Sequence, residues 1–223
     1  MIKKNYLEDL NNTNKPFIIY KSGKGFDLYK DFSQKIILTN QNIEKFINKS
    51  IKLKSKNKET DLFIGFFGYE ILNNLIGVKI KKQKVLKFPK GIFYKPETKI
   101  KFSKELNYKP LKIIKSNKVF KINLNNRSYE KIFNKFKKRI KAGETYQIKI
   151  CTKYKNSSQI DALDFFCRLV KSNMAPEAFM IKDKNYSIIS CSPENLIAKK
   201  GDFITTKPIA GTLKKSKNFN KQK

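Results

Sequence analysis

This sequence predicts an α+β fold of mostly antiparallel β-sheet layers with peripheral helices, and three observations carry that reading. Short apolar runs at 178–182, 186–191, 196–199 and 203–207 alternate with turn-forming segments, including Asp183-Lys184-Asn185 and Lys200-Gly201-Asp202, which favours antiparallel pairing. Apolar residues at three- and four-residue spacing mark helices over 128–141 and 161–171. With 18 Phe and 39% apolar residues, a chain of 223 residues can fill a sizeable core.

The elements follow in order. Residues 16–20 read as a strand, Ser22-Gly23-Lys24-Gly25 as a turn, and 36–38 as a second apolar run. An amphipathic helix near 43–51 and a Lys-rich linker to Lys58 come next. Residues 62–69 are apolar and aromatic around Gly65 and Gly68, as suits a buried strand that another backbone approaches closely. Residues 95–121, punctuated by Pro96 and Pro110, read as a surface hairpin region or connector. This divides the chain into 1–122 and 123–223. Ser128 is positioned to cap a helix whose stripe is Tyr129, Ile132, Phe133, Phe136 and Ile140, with cations near its C-terminal end and Gly143 as its stop. Residues 146–154 alternate as a half-buried strand would. Asp161 caps a second helix with the stripe Leu163, Phe166, Leu169 and Val170, and Pro176 ends it.

Composition limits the function. A formal net charge of +32 invites a nucleic-acid partner, but only Arg127, Arg139 and Arg168 are arginines. Phosphate and base recognition favours bidentate Arg forks, so solvated lysines on every face are the plainer reading and no specific nucleic acid is expected. Cys151, Cys167 and Cys191 are odd in number and lack CxxC spacing, which reads as buried thiols in a reducing compartment. The absence of His excludes Ser-His and Cys-His pairs within these residues and leaves acid/base work to carboxylate, Lys or Tyr. Neither a signal peptide nor a spanning helix is apparent, so a cytoplasmic location without membrane attachment is expected.

Two motifs carry chemistry. Ser192-Pro193-Glu194 is by itself a helix or turn start, and Pro208-Ile209-Ala210-Gly211-Thr212 a strand-terminating turn with free backbone donors. One predicted hairpin separates them, which puts a carboxylate opposite a glycine turn, an anion-binding and proton-transfer arrangement.

In order and spacing, Gly143-Glu144-Thr145-Tyr146-Gln147-Ile148, Ala175-Pro176, Ser190-Cys191-Ser192-Pro193-Glu194 and Thr206-Lys207-Pro208-Ile209-Ala210-Gly211-Thr212 resemble the middle of the chorismate-utilising enzymes. These are component I of anthranilate synthase and of aminodeoxychorismate synthase. Gly65-Phe66-Phe67-Gly68-Tyr69-Glu70 is similar to the family's N-terminal glycine-aromatic strand. The resemblance implies that family's fold, incomplete at the C-terminus. It implies that Glu194 is the general acid/base at the expelled ring hydroxyl, its pKa raised in a partly desolvated pocket, and that Gly211 and Thr212 bind chorismate.

Ala210 stands where aminodeoxychorismate synthases often have a lysine that attacks the ring, so ammonia or water would attack directly. That favours the anthranilate branch. Tyr146-Gln147-Ile148 and Ala175-Pro176-Glu177-Ala178 look closer to the aminodeoxychorismate branch, toward which the reading leans. Where that branch binds tryptophan, the matching places are Ser22, Tyr29 to Phe32, Pro176, Glu177 and Ala178. The resemblance also implies Mg2+, with no ligand for it in this chain, and a glutamine amidotransferase subunit, component II, as the ammonia source. The chain is expected to be inactive alone and poorly soluble, either as half of a split enzyme whose C-terminal half is a separately encoded partner or as a truncated product. A non-catalytic regulatory or interaction subunit, or a basic nucleic-acid-binding protein, are the readings from other classes.

Overall fold

A computed structural model of the chain describes residues 6–51, 59–78, 88–102, 106, 108, 119–173 and 175–209. In chain order the elements are α1 (Tyr6–Asn12), β1 (Phe17–Ser22), β2 (Gly25–Ile37), α2 (Ile43–Ile51), β3 (Ile64–Phe67), α3 (Tyr69–Leu75), β4 (Gly91–Phe102) and β5 (Lys121–Ile122). They continue with α4 (Asn126–Lys141), β6 (Tyr154–Lys155), α5 (Ala162–Asn173), β7 (Glu177–Lys182), β8 (Ser187–Ser192), β9 (Ala198–Lys200) and β10 (Phe203–Thr205). There are two compact units, Met1–Lys109 with Ala162–Lys223, and Pro110–Asp161. The expected division at 122/123 falls inside the second of these, because strands from both ends of the sequence share one sheet in the first.

That sheet has the strand order β3-β4-β2-β1-β7-β8, and every pairing in it is antiparallel. Two cross-strand rows explain its stability. On one face Ile189, Met180, Ile19, Leu28 and Ile100 lie side by side across five strands, and Leu163 and Phe166 of α5 with Leu7 of α1 cover them. The stripe of α5 read from the sequence is therefore the lid of this core, with Phe166 edge-on to Phe26 at 6.3 Å between centroids. On the other face Ile188, Ile181, Ile18 and Tyr29 form the parallel row, packed with Tyr94 and Ile92. A third cluster, Leu38, Ile43, Phe46 and Ile71, seats α2 and α3 against the end of β2.

The β1–β2 turn forms as expected, with Gly23 at φ +59°. The run at 36–38 turns out to be the end of a 13-residue strand. Its polar middle, Asp27 to Lys35, hides it from a search for apolar runs. Residues 95–102 likewise belong to β4, inside the sheet, where a surface connector was expected. Pro96 is tolerated there because the register slips opposite it, between Phe32 and Gln34. Asp31 next to the slip takes a left-handed φ of 51°, and its carboxylate accepts from Thr98 Oγ1 at 2.9 Å and pairs with Lys30 at 2.8 Å.

In the second unit α4 starts earlier than expected. Asn125 is its N-cap, accepting from the backbone N–H of Ser128 at 2.8 Å, and Gly143 at φ +76° stops it. Residues 146–154 are not a strand apart from Tyr154: their alternation finds only the two-residue pairing of β5 with β6, and Tyr146 is 91% exposed. Cys151 is exposed and Cys167 and Cys191 are half-buried, so the thiols are less buried than composition suggested.

Two carboxylates are buried, Asp27 in β2 and Asp183 in the turn after β7. Asp27 pairs with Lys99 at 3.0 Å, and Asp183 pairs with Lys35 at 2.6 Å while accepting from the Tyr94 hydroxyl. Burial pushes the Asp183 carboxyl up, but the Lys35 ammonium, the Tyr94 hydroxyl and the Lys184 backbone N–H outweigh it and hold it below the usual carboxylate range. A depressed folded pKa gives stability that is present above the unfolded value, near pH 4, and lost as pH falls through the folded one. Urea melts of Asp183→Asn are therefore expected to show a loss of about 1–2 kcal/mol near neutrality that shrinks below about pH 4. A Cβ at Gly65 would lie 1.9 Å from the backbone oxygen of Ile92, whereas one at Gly23 meets nothing within 4 Å. Gly65→Ala is accordingly expected to cost about 3 kcal/mol or more in a denaturant melt, and Gly23→Ala about 1 kcal/mol from its φ alone.

Candidate functional site

The turn that carries Glu194 is built from the end of the β7–β8 hairpin. Glu177, first residue of β7, lies opposite Ser192, last residue of β8. Pro193 cannot extend the ladder, and the Ser192 hydroxyl closes the turn instead. It donates to the Glu194 carbonyl at 3.1 Å and accepts from the Glu194 backbone N–H at 3.3 Å. The β9–β10 hairpin then returns the chain to this turn. Thr206 Oγ1 donates to the Leu196 carbonyl at 2.8 Å, and the backbone N–H of Ile209 donates to Glu194 Oε1 at 2.7 Å. The carboxylate and the start of the Pro-Ile-Ala-Gly-Thr turn thus meet in a charge-assisted hydrogen bond.

Glu194 is exposed, so the partly desolvated pocket expected around it is absent among the described residues. Ala210, Gly211 and Thr212 lie outside the described residues. The positions matched to a tryptophan site do not converge. Ala178 is fully buried in the core beneath α5, Tyr29 and Phe32 belong to the cluster on the opposite face, Ser22 sits at the hairpin end opposite Gly25, and Pro176 is exposed.

Glu177 has its own partners. Tyr20 donates to its Oε2 at 2.6 Å, and the Asn195 amide reaches its Oε1 at 3.5 Å. Burial, followed by the hydrogen bond to Glu177, pushes the Tyr20 hydroxyl up to about 12. Nearby, Lys21 Nζ donates to the Ala175 carbonyl at 2.7 Å, tying the segment before β7 to β1. Sequence reasoning named Glu177 only by resemblance and missed Tyr20 and Asn195. The alternation of β1, which puts Tyr20 on the face of Ile18, was the available signal for Tyr20.

In the other unit, Glu144 of the Gly-Glu-Thr-Tyr-Gln-Ile segment caps α4, its backbone N–H donating to the Arg139 carbonyl at 3.1 Å and its carboxylate lying 3.5 Å from Arg139 Nη1. Thr145 Oγ1 donates to the Gln147 carbonyl at 3.3 Å.

Among the described residues no three His, Cys, Asp or Glu side chains are grouped as a metal ion requires, so these residues do not fit Mg2+. A cleft of about 650 Å³ opens at the β2 irregularity, lined by Tyr6, Lys15, Asp31, Phe32 and Tyr94 among others, and Glu194 is not part of it. The motif chemistry and this cleft are therefore separate places. Among the described residues no helix is long and apolar enough to cross a membrane.

The sequence model of a family described as chorismate binding enzyme matches residues 4–223. Anthranilate synthase component 1 of Haloferax volcanii is 30% identical over 87 residues, 39% of this chain and 17% of that protein. The component of the same name from Buchnera aphidicola subsp. Pemphigus spyrothecae is 33% identical over 102 residues, 45% of this chain and 19% of its own length. Aminodeoxychorismate synthase component 1 of Bacillus subtilis is 28% identical over 89 residues, 40% of this chain and 19% of that protein. The chain thus matches about a fifth of the length of these relatives.

The raised Tyr20 hydroxyl has a measurable consequence. A folded pKa above the unfolded value of 10 gives stability that is fully present below pH 10 and lost as pH rises toward 12. Unfolding free energies of wild type and Tyr20→Phe, compared from about pH 9 to 12, are expected to converge as the pH rises.

Proposed function

This chain belongs to the family of chorismate-binding enzymes, and from that premise we propose that it provides the acid/base turn of a chorismate-aminating synthase of the component I type. Glu194 is the proton-transfer group, and Gly211 and Thr212 bind the substrate. The observation that supports this most directly is the 2.7 Å hydrogen bond from the Ile209 backbone N–H to Glu194 Oε1, which joins the two motifs in one place.

In this reading protonated Glu194 gives its proton to the ring hydroxyl, which leaves as water while ammonia adds to the ring. The resulting alkylammonium returns a proton to the Glu194 carboxylate, so the group ends as it began. Ala210 has no amine, so ammonia attacks the ring directly, without a covalent intermediate. A glutamine amidotransferase subunit supplies the ammonia.

The 4-amino product, aminodeoxychorismate, is the reading supported by Tyr146-Gln147-Ile148 and by Ala175-Pro176-Glu177-Ala178. Anthranilate is the second reading, supported by Ala210. Similar relatives carry both names.

Titrating the ¹⁵N-labelled chain with chorismate in Mg2+ buffer tests the site. The Ile209 amide resonance is expected to move on binding, and Glu194→Gln to remove that movement. A chain whose spectrum chorismate leaves unchanged would rule the reading out. In an amination assay with ammonium and any required partner, Glu194→Gln is expected to lower kcat by about 10²–10⁴-fold, and anthranilate fluorescence distinguishes the two products.

A further inference from the structure

Among the described residues, none of Ser192 to Ile197 is buried or belongs to a hydrophobic cluster, so polar contacts are the means by which this loop is directed. The contacts around Glu177 do so from three sides. Its backbone is in register with Ser192, whose hydroxyl closes the Glu194 turn. Its Oε2 accepts from Tyr20 at 2.6 Å, which anchors the side chain to β1 in the middle of the sheet. Its Oε1 faces the Asn195 amide at 3.5 Å, one residue beyond Glu194.

We infer that Glu177 is a positioning residue: its carboxylate, held by Tyr20, orients the Ser192–Asn195 turn so that the Glu194 carboxylate meets the Ile209 backbone N–H. The inference rests on the role proposed for Glu194, but the contact it explains exists without substrate. The chemistry suits the task. A half-buried carboxylate that accepts two hydrogen bonds from different elements has little rotational freedom. The Tyr20 hydroxyl pushed up to about 12 keeps its proton, and so keeps donating, throughout the neutral range. A neutral apolar side chain at 177 would leave both Tyr20 and Asn195 without this acceptor. The turn would then keep the Ser192 hydroxyl and its contacts with the β9–β10 hairpin but lose its tie to β1.

The test reads the contact itself, in the full chain without chorismate. In wild type the Ile209 amide proton shift is expected to follow the ionisation of Glu194 through a pH titration, and Glu194→Gln to abolish that dependence. Glu177→Ala and Tyr20→Phe are each expected to reduce the pH-dependent displacement by at least half and to speed exchange of the Ile209 amide about tenfold, the loss of roughly one hydrogen bond's protection. Backbone amides of the β1–β7 ladder are expected to keep their protection. Glu177→Gln, which retains an acceptor for Tyr20, is expected to restore part of the displacement. Should Glu177→Ala fail to fold, Tyr20→Phe, which removes a single hydroxyl, decides alone.

An unchanged Ile209 amide in the folded variants overturns the inference. Ladder protection lost along with it also does so, because Glu177 would then be a general support of the sheet. A wild-type Ile209 amide indifferent to Glu194 overturns it as well. These outcomes are separate from the chorismate titration: a chain that passes here and binds no chorismate keeps the positioning role and loses the proposed function.

Discussion

The pairing of β1 with β7 sets the position of nearly everything else, because it joins Phe17–Tyr20 to residues 179–182 and places β1 between two partners. Phe17, Ile18 and Ile19 are each at most 1% exposed, so this strand is buried on both faces, as is more usual of parallel sheets. Burial of a continuous run there allows two separate cores, one beneath α1 and α5 and the other around Tyr29 and Tyr94. It also specifies register strongly, since a one-residue slip would exchange the two rows of side chains. Register then passes outward. Tyr20 reaches Glu177, Glu177 faces Ser192, and the turn with Glu194 begins where that ladder ends.

The polar groups of the sheet are placed by the same rule. Asp27 with Lys99, and Asp183 with Lys35 and Tyr94, are carboxylates that a buried face tolerates because each has a cation and at least one hydroxyl within reach. In contrast, the Glu194 turn lies beyond the packed rows. Its geometry is a matter of local hydrogen bonds from Ser192, Thr206 and Ile209. A rigid sheet thus carries a reactive turn at its margin, a common division of labour between scaffold and site.

How legible this was depended on the range of the forces. Helices α4 and α5 and the hairpin turns at Gly23 and Gly201 were readable because apolar stripe and positive φ are local, although the cap of α4 is Asn125 and not Ser128. Gly65 and Gly68 correctly signalled a close backbone, which proves to be Ile92 and Lys90 of the segment around β4. The polar middle of β2 and the proline in β4 concealed two long strands, because pairing between residues about 70 positions apart compensates for a composition that argues against a strand. The converse failure was 146–154, where a good alternation meets, among the described residues, only the two-residue pairing of β6 with β5. At the site, the contact of Glu194 with Ile209 spans the hairpin read between the two motifs, while Gly211 and Thr212 lie outside the described residues. The Tyr20–Glu177 link was not anticipated, since it joins residues 157 apart.

The same strand order has a bearing on synthesis. β1 leaves the ribosome before its second neighbour, which follows about 155 residues later, roughly 8–30 s at ordinary elongation rates. During that interval the β1–β2 hairpin presents Phe17, Ile18 and Ile19 along an unpaired edge, which is the kind of template that recruits other nascent chains. Slow, long-range closure of this sort makes the yield of native protein sensitive to translation speed and to holdase chaperones, independently of how stable the finished sheet is.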